Sequence, residues 1–267
     1  MNGPLFRRTW RGQRLKLAIV STALGAWGFF LPVIYARFGS QFRAIMESGL
    51  FPEQFARFGS GDIFSLSGSI ALSFIHPIAI SLTSVFSIGF AATAIAGERQ
   101  RGTLEVALAR PVSRRAFYLT IAAATFVFVA IIVASLLTGG IAGALFSGVA
   151  GELAMRNLPL LWLNAVLLFG AFAAVALAAS VSFDRLPPAL GVSIGFIVVM
   201  YFLEILGSLW PEAEKLQPYS LFHYLQPKTV LVGAGSLFDE AILCGVIAAA
   251  ISWALVVFPR RDLAAPS

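Results

Sequence analysis

Residues 116–151 read AFYLTIAAATFVFVAIIVASLLTGGIAGALFSGVAG, 36 positions without one Asp, Glu, Lys or Arg. A hydrocarbon core about 30 Å thick is crossed by about 20 apolar residues rising 1.5 Å each in a helix, so this run has bilayer length. Five more runs share the property: 17–36 (20 residues), 63–97 (35), 157–183 (27), 186–203 (18) and 241–259 (19). A transmembrane barrel would show alternating segments of about 10 residues, which the sequence lacks. Composition agrees, with 58% hydrophobic and 12% charged residues and a mean hydropathy of +0.86, against roughly 45–50% and 25% in soluble domains. The fold expected is an all-α integral membrane protein, one transmembrane domain over 1–267 with six spans.

Two runs exceed one crossing, since 36 helical residues would extend about 54 Å. Gly139-Gly140 is read as dividing the third run, so that 116–138 spans and 141–150 sits at the outer interface or re-enters. In the second run, His76-Pro77 marks a kink or a turn into the membrane. The map is then an interfacial elbow at 1–16, spans at about 17–36, 74–97, 116–138, 158–183, 187–207 and 239–259, an inner connection at 98–115, and an outer loop at 208–238.

Basic residues set the orientation. The N-terminal arm (Arg7, Arg8, Arg11, Arg14, Lys16), the connection with Arg99, Arg101, Arg110, Arg114 and Arg115, then Arg185, Arg260 and Arg261 place 13 on one side, against six on the other. Short cytoplasmic loops retain Lys and Arg, so both termini and 98–115 are expected inside a plasma or inner membrane. The net charge of +6 then reports topology and contact with lipid headgroups, not nucleic-acid binding. Leu5, Phe6, Trp10 and Leu17 recur at helical spacing among the arm's basic residues, the pattern of an amphipathic helix in the interface, with a disordered basic tail as the alternative. A cleaved signal peptide fits less well, because the apolar run exceeds the usual 7–15 residues and no Ala-x-Ala site closes it. The single cysteine, Cys244, excludes a disulfide framework.

Outside the membrane, Ala-Arg-Phe-Gly-Ser occurs at 36–40 and again at 56–60; two copies cannot build a repeat architecture. The 204–240 connection carries five acids against two lysines, with Pro211, Pro218 and Pro227 among Tyr219, Phe222, His223 and Tyr224. This mixture predicts short interfacial helices over the outer mouth.

Catalytic patterns are sparse in the sequence. A phosphate-binding Gly-x4-Gly-Lys-Ser/Thr loop is excluded, because Lys16, Lys215 and Lys228 follow Leu15, Glu214 and Pro227. The only histidines, His76 and His223, belong to no metal-ligand pattern. Gly191-Val192-Ser193-Ile194-Gly195 copies a nucleophile elbow, with Glu204 and His223 following in hydrolase order. An elbow needs a strand-to-helix turn, whereas this pentapeptide lies within a lipid-spanning run. Gly191 and Gly195, like Gly139 and Gly143, read more simply as small-residue surfaces for close helix approach. Glu204, where the fifth run ends, is an interface residue or a contact for substrate or protons.

The informative connection is Glu98-Arg99-Gln100-Arg101-Gly102-Thr103-Leu104-Glu105-Val106-Ala107-Leu108-Ala109-Arg110-Pro111-Val112-Ser113-Arg114. Thr103 is suited to cap a short helix, Glu105 lies in its first turn where the dipole favours an anion, Leu104 and Leu108 share a face, and Pro111 stops it. Ser113 is suited to cap the third span. Two helical turns are marginal alone in water, so the leucine face must dock on something.

This segment resembles the coupling helix of membrane subunits in the type 2 permease family of ATP-binding cassette transporters. The pattern there is Gly-Glu-x-x-x-Gly-Thr-Leu-Glu, a short leucine-bearing helix, then Arg/Ser-Pro-x-Ser-Arg, matched here by Gly97, Glu98, Gly102, Thr103, Leu104, Glu105, Leu108, Pro111, Ser113 and Arg114. The resemblance extends to the basic elbow, six spans with both ends inside, Leu225-Gln226-Pro227 before the last span, and Arg260-Arg261-Asp262-Leu263 after it. The long first outer loop departs from the pattern.

The resemblance implies a non-catalytic permease subunit, most readily of an exporter. Two such subunits, copies or paralogues, would enclose the pathway. Each would bind a separate ATPase subunit that carries ATP and Mg, through Glu98, Arg99, Gly102, Thr103, Leu104, Glu105, Leu108, Arg110, Pro111, Ser113 and Arg114. No cofactor is expected on this chain, and no substrate residue is assigned. Leu104→Asp is expected to weaken that association. The competing readings are a secondary transporter or channel, disfavoured by spans free of ionisable Asp, Glu, Lys and Arg, and an intramembrane serine hydrolase.

Overall fold

The computed structural model describes residues 2–47, 65–109 and 112–261. Regular structure in these residues is wholly helical: α1 (Gly3–Glu47), α2 (Leu66–Ile75), α3 (Pro77–Gln100), α4 (Thr103–Leu108), α5 (Arg114–Phe146), α6 (Leu158–Ser182), α7 (Leu186–Leu209), α8 (Pro227–Leu231) and α9 (Leu237–Arg260). Six of them, α1, α3, α5, α6, α7 and α9, are long and apolar enough to cross a membrane. Helices are the form that apolar runs take in lipid, because each backbone N–H and C=O must find its partner within the segment. Hydroxyls obey the same rule: Ser87, Thr125, Ser182 and Ser193 each donate to the carbonyl four residues back. Tryptophan N–H groups join different helices instead, Trp27 to the Ser73 carbonyl of α2 at 3.2 Å and Trp162 to the Ala130 carbonyl of α5 at 3.0 Å.

The helices α1 and α5 run parallel. The Asn2 N–H donates to Thr120 Oγ1 at 2.9 Å near one end, and the Tyr35 hydroxyl to Glu152 at 3.1 Å near the other. Between these points the backbones approach so closely that a Cβ on Gly139 would fall 2.0 Å from the Gly25 carbonyl oxygen, and one on Gly143 2.2 Å from that of Phe29. Gly139-Gly140 therefore does not divide the third run, and α5 passes through it unbroken to Phe146. The missing side chains serve close packing here instead of a turn.

The N-terminal arm also differs from expectation. It forms no separate elbow, since α1 is continuous from Gly3 through the first apolar run. Its apolar positions find protein: Leu5, Phe6 and Trp10 pack against the main core, with the Trp10 ring 5.7 Å from Phe128. Its five basic residues are exposed.

The second run breaks at His76, whose backbone is extended (φ −66°, ψ 139°). The His76 imidazole accepts from the Ile78 N–H at 3.2 Å, and Pro77 opens α3 where its missing N–H costs nothing. In the centre, α6 is buried along most of its length, and Phe128 of α5 packs edge-on against Phe86 and Phe90 of α3 at 5.9 and 5.3 Å. On the periphery, α7 leaves Val192, Val198, Val199 and Phe202 exposed, as suits a face whose solvent is lipid.

Short 3₁₀ turns over Pro211–Tyr219 and Leu221–Tyr224 close the end opposite the basic connection. Of their aromatics, Tyr219 is exposed, but Phe222 is buried between Phe172 and Tyr201, at 5.1 and 5.4 Å. Buried Ser220 donates to the Met200 carbonyl, and Asn164 of α6 donates to the Tyr224 carbonyl at 3.0 Å. These bonds fasten the turns to α7 and α6.

Candidate functional site at the basic end of the bundle

Approaching the basic connection, α3 widens into a π-helical turn over Thr93–Gly97. A π turn offsets the regular ladder and leaves backbone groups in need of partners. One side chain of α6 supplies them. Fully buried Ser180 donates to the Ala92 carbonyl at 2.8 Å and accepts from the N–H groups of Ala96 and Ile95 at 2.9 and 3.3 Å. Small residues Ala92, Ala96, Ala179 and Ala189 pack beside it, bringing α3, α6 and α7 together.

Glu98 then organises the turn that follows. Its carboxylate accepts from Arg101 at 2.5 Å and from the Thr103 hydroxyl at 2.6 Å. Thr103 is thus not the cap that the spacing predicts. It is the first residue of α4, and the cap position belongs to Gly102, with φ 70° and no capping side chain. Only glycine takes that left-handed conformation without a Cβ penalty. Gly102→Val, strained at this φ, is expected to lower stability by about 1–2 kcal/mol and to displace α4. The check is a thermal-unfolding scan together with protease sensitivity of 98–109; wild-type values in both would count against the assigned turn.

The leucine face of α4 finds its partner inside the chain. Leu104 is 1% exposed and belongs to the main hydrophobic core, and Leu108 packs against that core. This corrects the expectation that Leu104→Asp would report on a second subunit: the buried contact it removes is internal. The outward face of α4 carries Glu105 and above all Val106, 72% exposed, with exposed Ala109 just past its end. Periodicity marks both faces, but only the packing says which is free.

The expected site residues divide accordingly. Arg110 and Pro111 lie outside the described residues. Ser113 caps α5, its Oγ accepting from the Ala116 N–H at 3.2 Å. Arg114 donates to the carbonyls of Pro259 and Arg261 at 3.0 and 2.7 Å, a cation placed on the last carbonyls of α9. Arg99 is turned into the bundle and pairs with Asp184, in the connection between α6 and α7, at 2.9 Å. Asp184 also receives Arg261, which in turn donates to the Val181 and Ser182 carbonyls at the end of α6. Gln100 accepts from the Leu186 N–H at 2.8 Å, at the start of α7. Asp184 and Ser180 escape the sequence reading. The available signal for Asp184 is an acid in a three-residue connection between two apolar runs.

Ser193 and Glu204 do not come together as hydrolase partners. The Ser193 hydroxyl is engaged by the Ala189 carbonyl, and Glu204 stands 11 residues further along the same helix, about 16 Å away. Glu204 accepts instead from Gln217 at 3.4 Å.

A six-span helical bundle with an ordered short helix between its second and third spans defines a multi-pass membrane protein. Residues 14–263 match the family described as ABC-2 family transporter protein. The chain belongs to that family and is a permease-type membrane subunit of an ATP-binding cassette transporter. No curated protein matches it.

Proposed function

We propose that the chain is the pathway-forming subunit of an exporter, with both termini on the cytoplasmic side of a plasma or inner membrane, and that α4 is its coupling helix. A separate ATPase subunit holds ATP and Mg and docks on the outward face of α4. A second permease subunit, a copy or a paralogue, completes the pathway, and no bond is made or broken in this chain. The observation that carries this reading is the construction of α4: a short helix entered through the left-handed turn at Gly102, rooted by Leu104 and leaving Val106 exposed for a partner. Closure of the ATPase pair would move such a knob as a body, and the bundle would respond by shifting between two packings.

The test uses Val106→Cys in a Cys244→Ala background. A membrane-impermeant maleimide is expected to label Val106→Cys in inside-out vesicles only, and the co-expressed ATPase subunit is expected to protect it. Labelling from the exterior overturns the topology; labelling indifferent to the ATPase overturns the docking site.

A further inference from the structure

We propose that Asp184 is a positioning residue that transmits the displacement of α4 to the ends of the other spans, a role that rests on the coupling function proposed above. Leu104 roots α4 in the core, but a buried leucine contact is non-directional and permits sliding. Directional ties lie one turn earlier. Arg99 and Gln100, the residues that lead into α4, hold Asp184 and the Leu186 N–H respectively. Through Asp184 the tie reaches Arg261, and through Arg261 the final carbonyls of α6. Arg114 closes the circuit by holding the carbonyls of Pro259 and Arg261 from the start of α5. The Asp184 carboxylate thereby ties the basic ends of α3 and α9 to the connection between α6 and α7, Gln100 adds the start of α7 and Arg261 the end of α6, and α5 joins through Arg114.

The chemistry suits a transmitting joint better than a static bolt. The Arg99 side chain is 10% exposed while that of Asp184 is 46% exposed, so the pair keeps a wet side and its strength is moderate. Arg99 is held in the interior with its Nε lacking an acceptor among the described residues. A buried donor without a partner is destabilising where it stands, which lowers the cost of moving Arg99 to a second position. A bundle with two packings needs contacts that persist in direction while their neighbours exchange.

The experiment uses the full chain assembled with its ATPase subunit in nanodiscs, with spin labels at Phe146 and Leu237, both exposed at the far ends of α5 and α9. The distance between the labels is compared in ADP and in the vanadate-trapped ATP state, for wild type, Asp184→Asn and Asp184→Glu. The wild type is expected to change distance on trapping. Asp184→Asn is expected to assemble and trap vanadate normally, to match wild type in ADP, and to lose more than half of the trapping-induced change, with Asp184→Glu restoring it. A wild-type change in Asp184→Asn overturns the proposal alone. An ADP-state distance already altered, with a lowered Tm, marks Asp184 as merely structural and also overturns it. No trapping response in the wild type overturns the proposed function and this inference together. Should Asp184→Asn fail to reach the membrane, Arg261→Gln, which keeps the Arg99–Asp184 pair and an amide donor toward α6, is read on the same scale.

Discussion

Val106→Asp is expected to separate the permease from its ATPase subunit while leaving the six-span bundle folded. The side chain is 72% exposed on the outward face of α4, whose other face is buried. In water, such an apolar residue gains from being covered by a partner. A carboxylate in its place would be desolvated without a cation built to receive it, and Glu105 beside it already supplies negative charge. Losing a central apolar contact of this kind costs about 2–4 kcal/mol, a weakening of about 30- to 700-fold in affinity. Co-purification and titration with the ATPase subunit measure it, and an unchanged Tm shows that the bundle is intact. Leu104→Asp serves as the contrast: its carboxylate would enter the main core, so it should lose folded protein before any question of association arises. Normal affinity in Val106→Asp would remove the outward face of α4 from the interface.

The difference between Leu104 and Val106 shows where the sequence stops informing. Spacing says that Leu104 and Leu108 share a face and that two turns of helix need support, but it cannot name the supporting surface. The spans themselves are legible because bilayer thickness imposes a length and lipid forbids charge, and both constraints act on contiguous residues. Ser113 is legible as a cap for the same local reason. Thr103 misleads because the preceding Gly102 takes the left-handed conformation and Glu98 captures the hydroxyl, a competition between neighbours that residue preference alone does not resolve. The π turn at Thr93–Gly97 leaves no trace in hydropathy, since a change in backbone winding alters no side chain. Its partner Ser180 lies 83 or more residues away in the chain from that turn. The arm at 3–16 has the amphipathic pattern of an interfacial helix, and the same pattern serves equally for packing on α5.

Gly139-Gly140 is the sharpest instance, because a turn and a tight helix crossing both use the absence of Cβ, and only the neighbouring helix decides between them. The decision can be tested by restoring the side chain. In Gly139→Val, the new Cβ would start 2.0 Å from the Gly25 carbonyl oxygen and 2.8 Å from its carbon, both backbone atoms that no rotamer change can move aside. The helices must separate, and the contacts at Gly28 and Gly143, each with a Cβ position 2.2 Å from a carbonyl oxygen of the other helix, open with them. Between helices in lipid this loss has no hydrophobic compensation, because lipid tails are as apolar as the surfaces released. Overpacking at such a site is expected to cost about 3 kcal/mol or more, a fall in Tm of about 6–12 °C, with reduced monodisperse yield in detergent. Gly191→Val is the matched control, for nothing lies within 4 Å of its Cβ position and α7 faces outward there. If the two variants unfold alike, glycine is serving helix flexibility and not contact, and the parallel packing of α1 on α5 is wrong. If Gly139→Val alone unfolds, the third apolar run is one uninterrupted helix held by the first, with Gly139 placed against α1 and not at a break in the span.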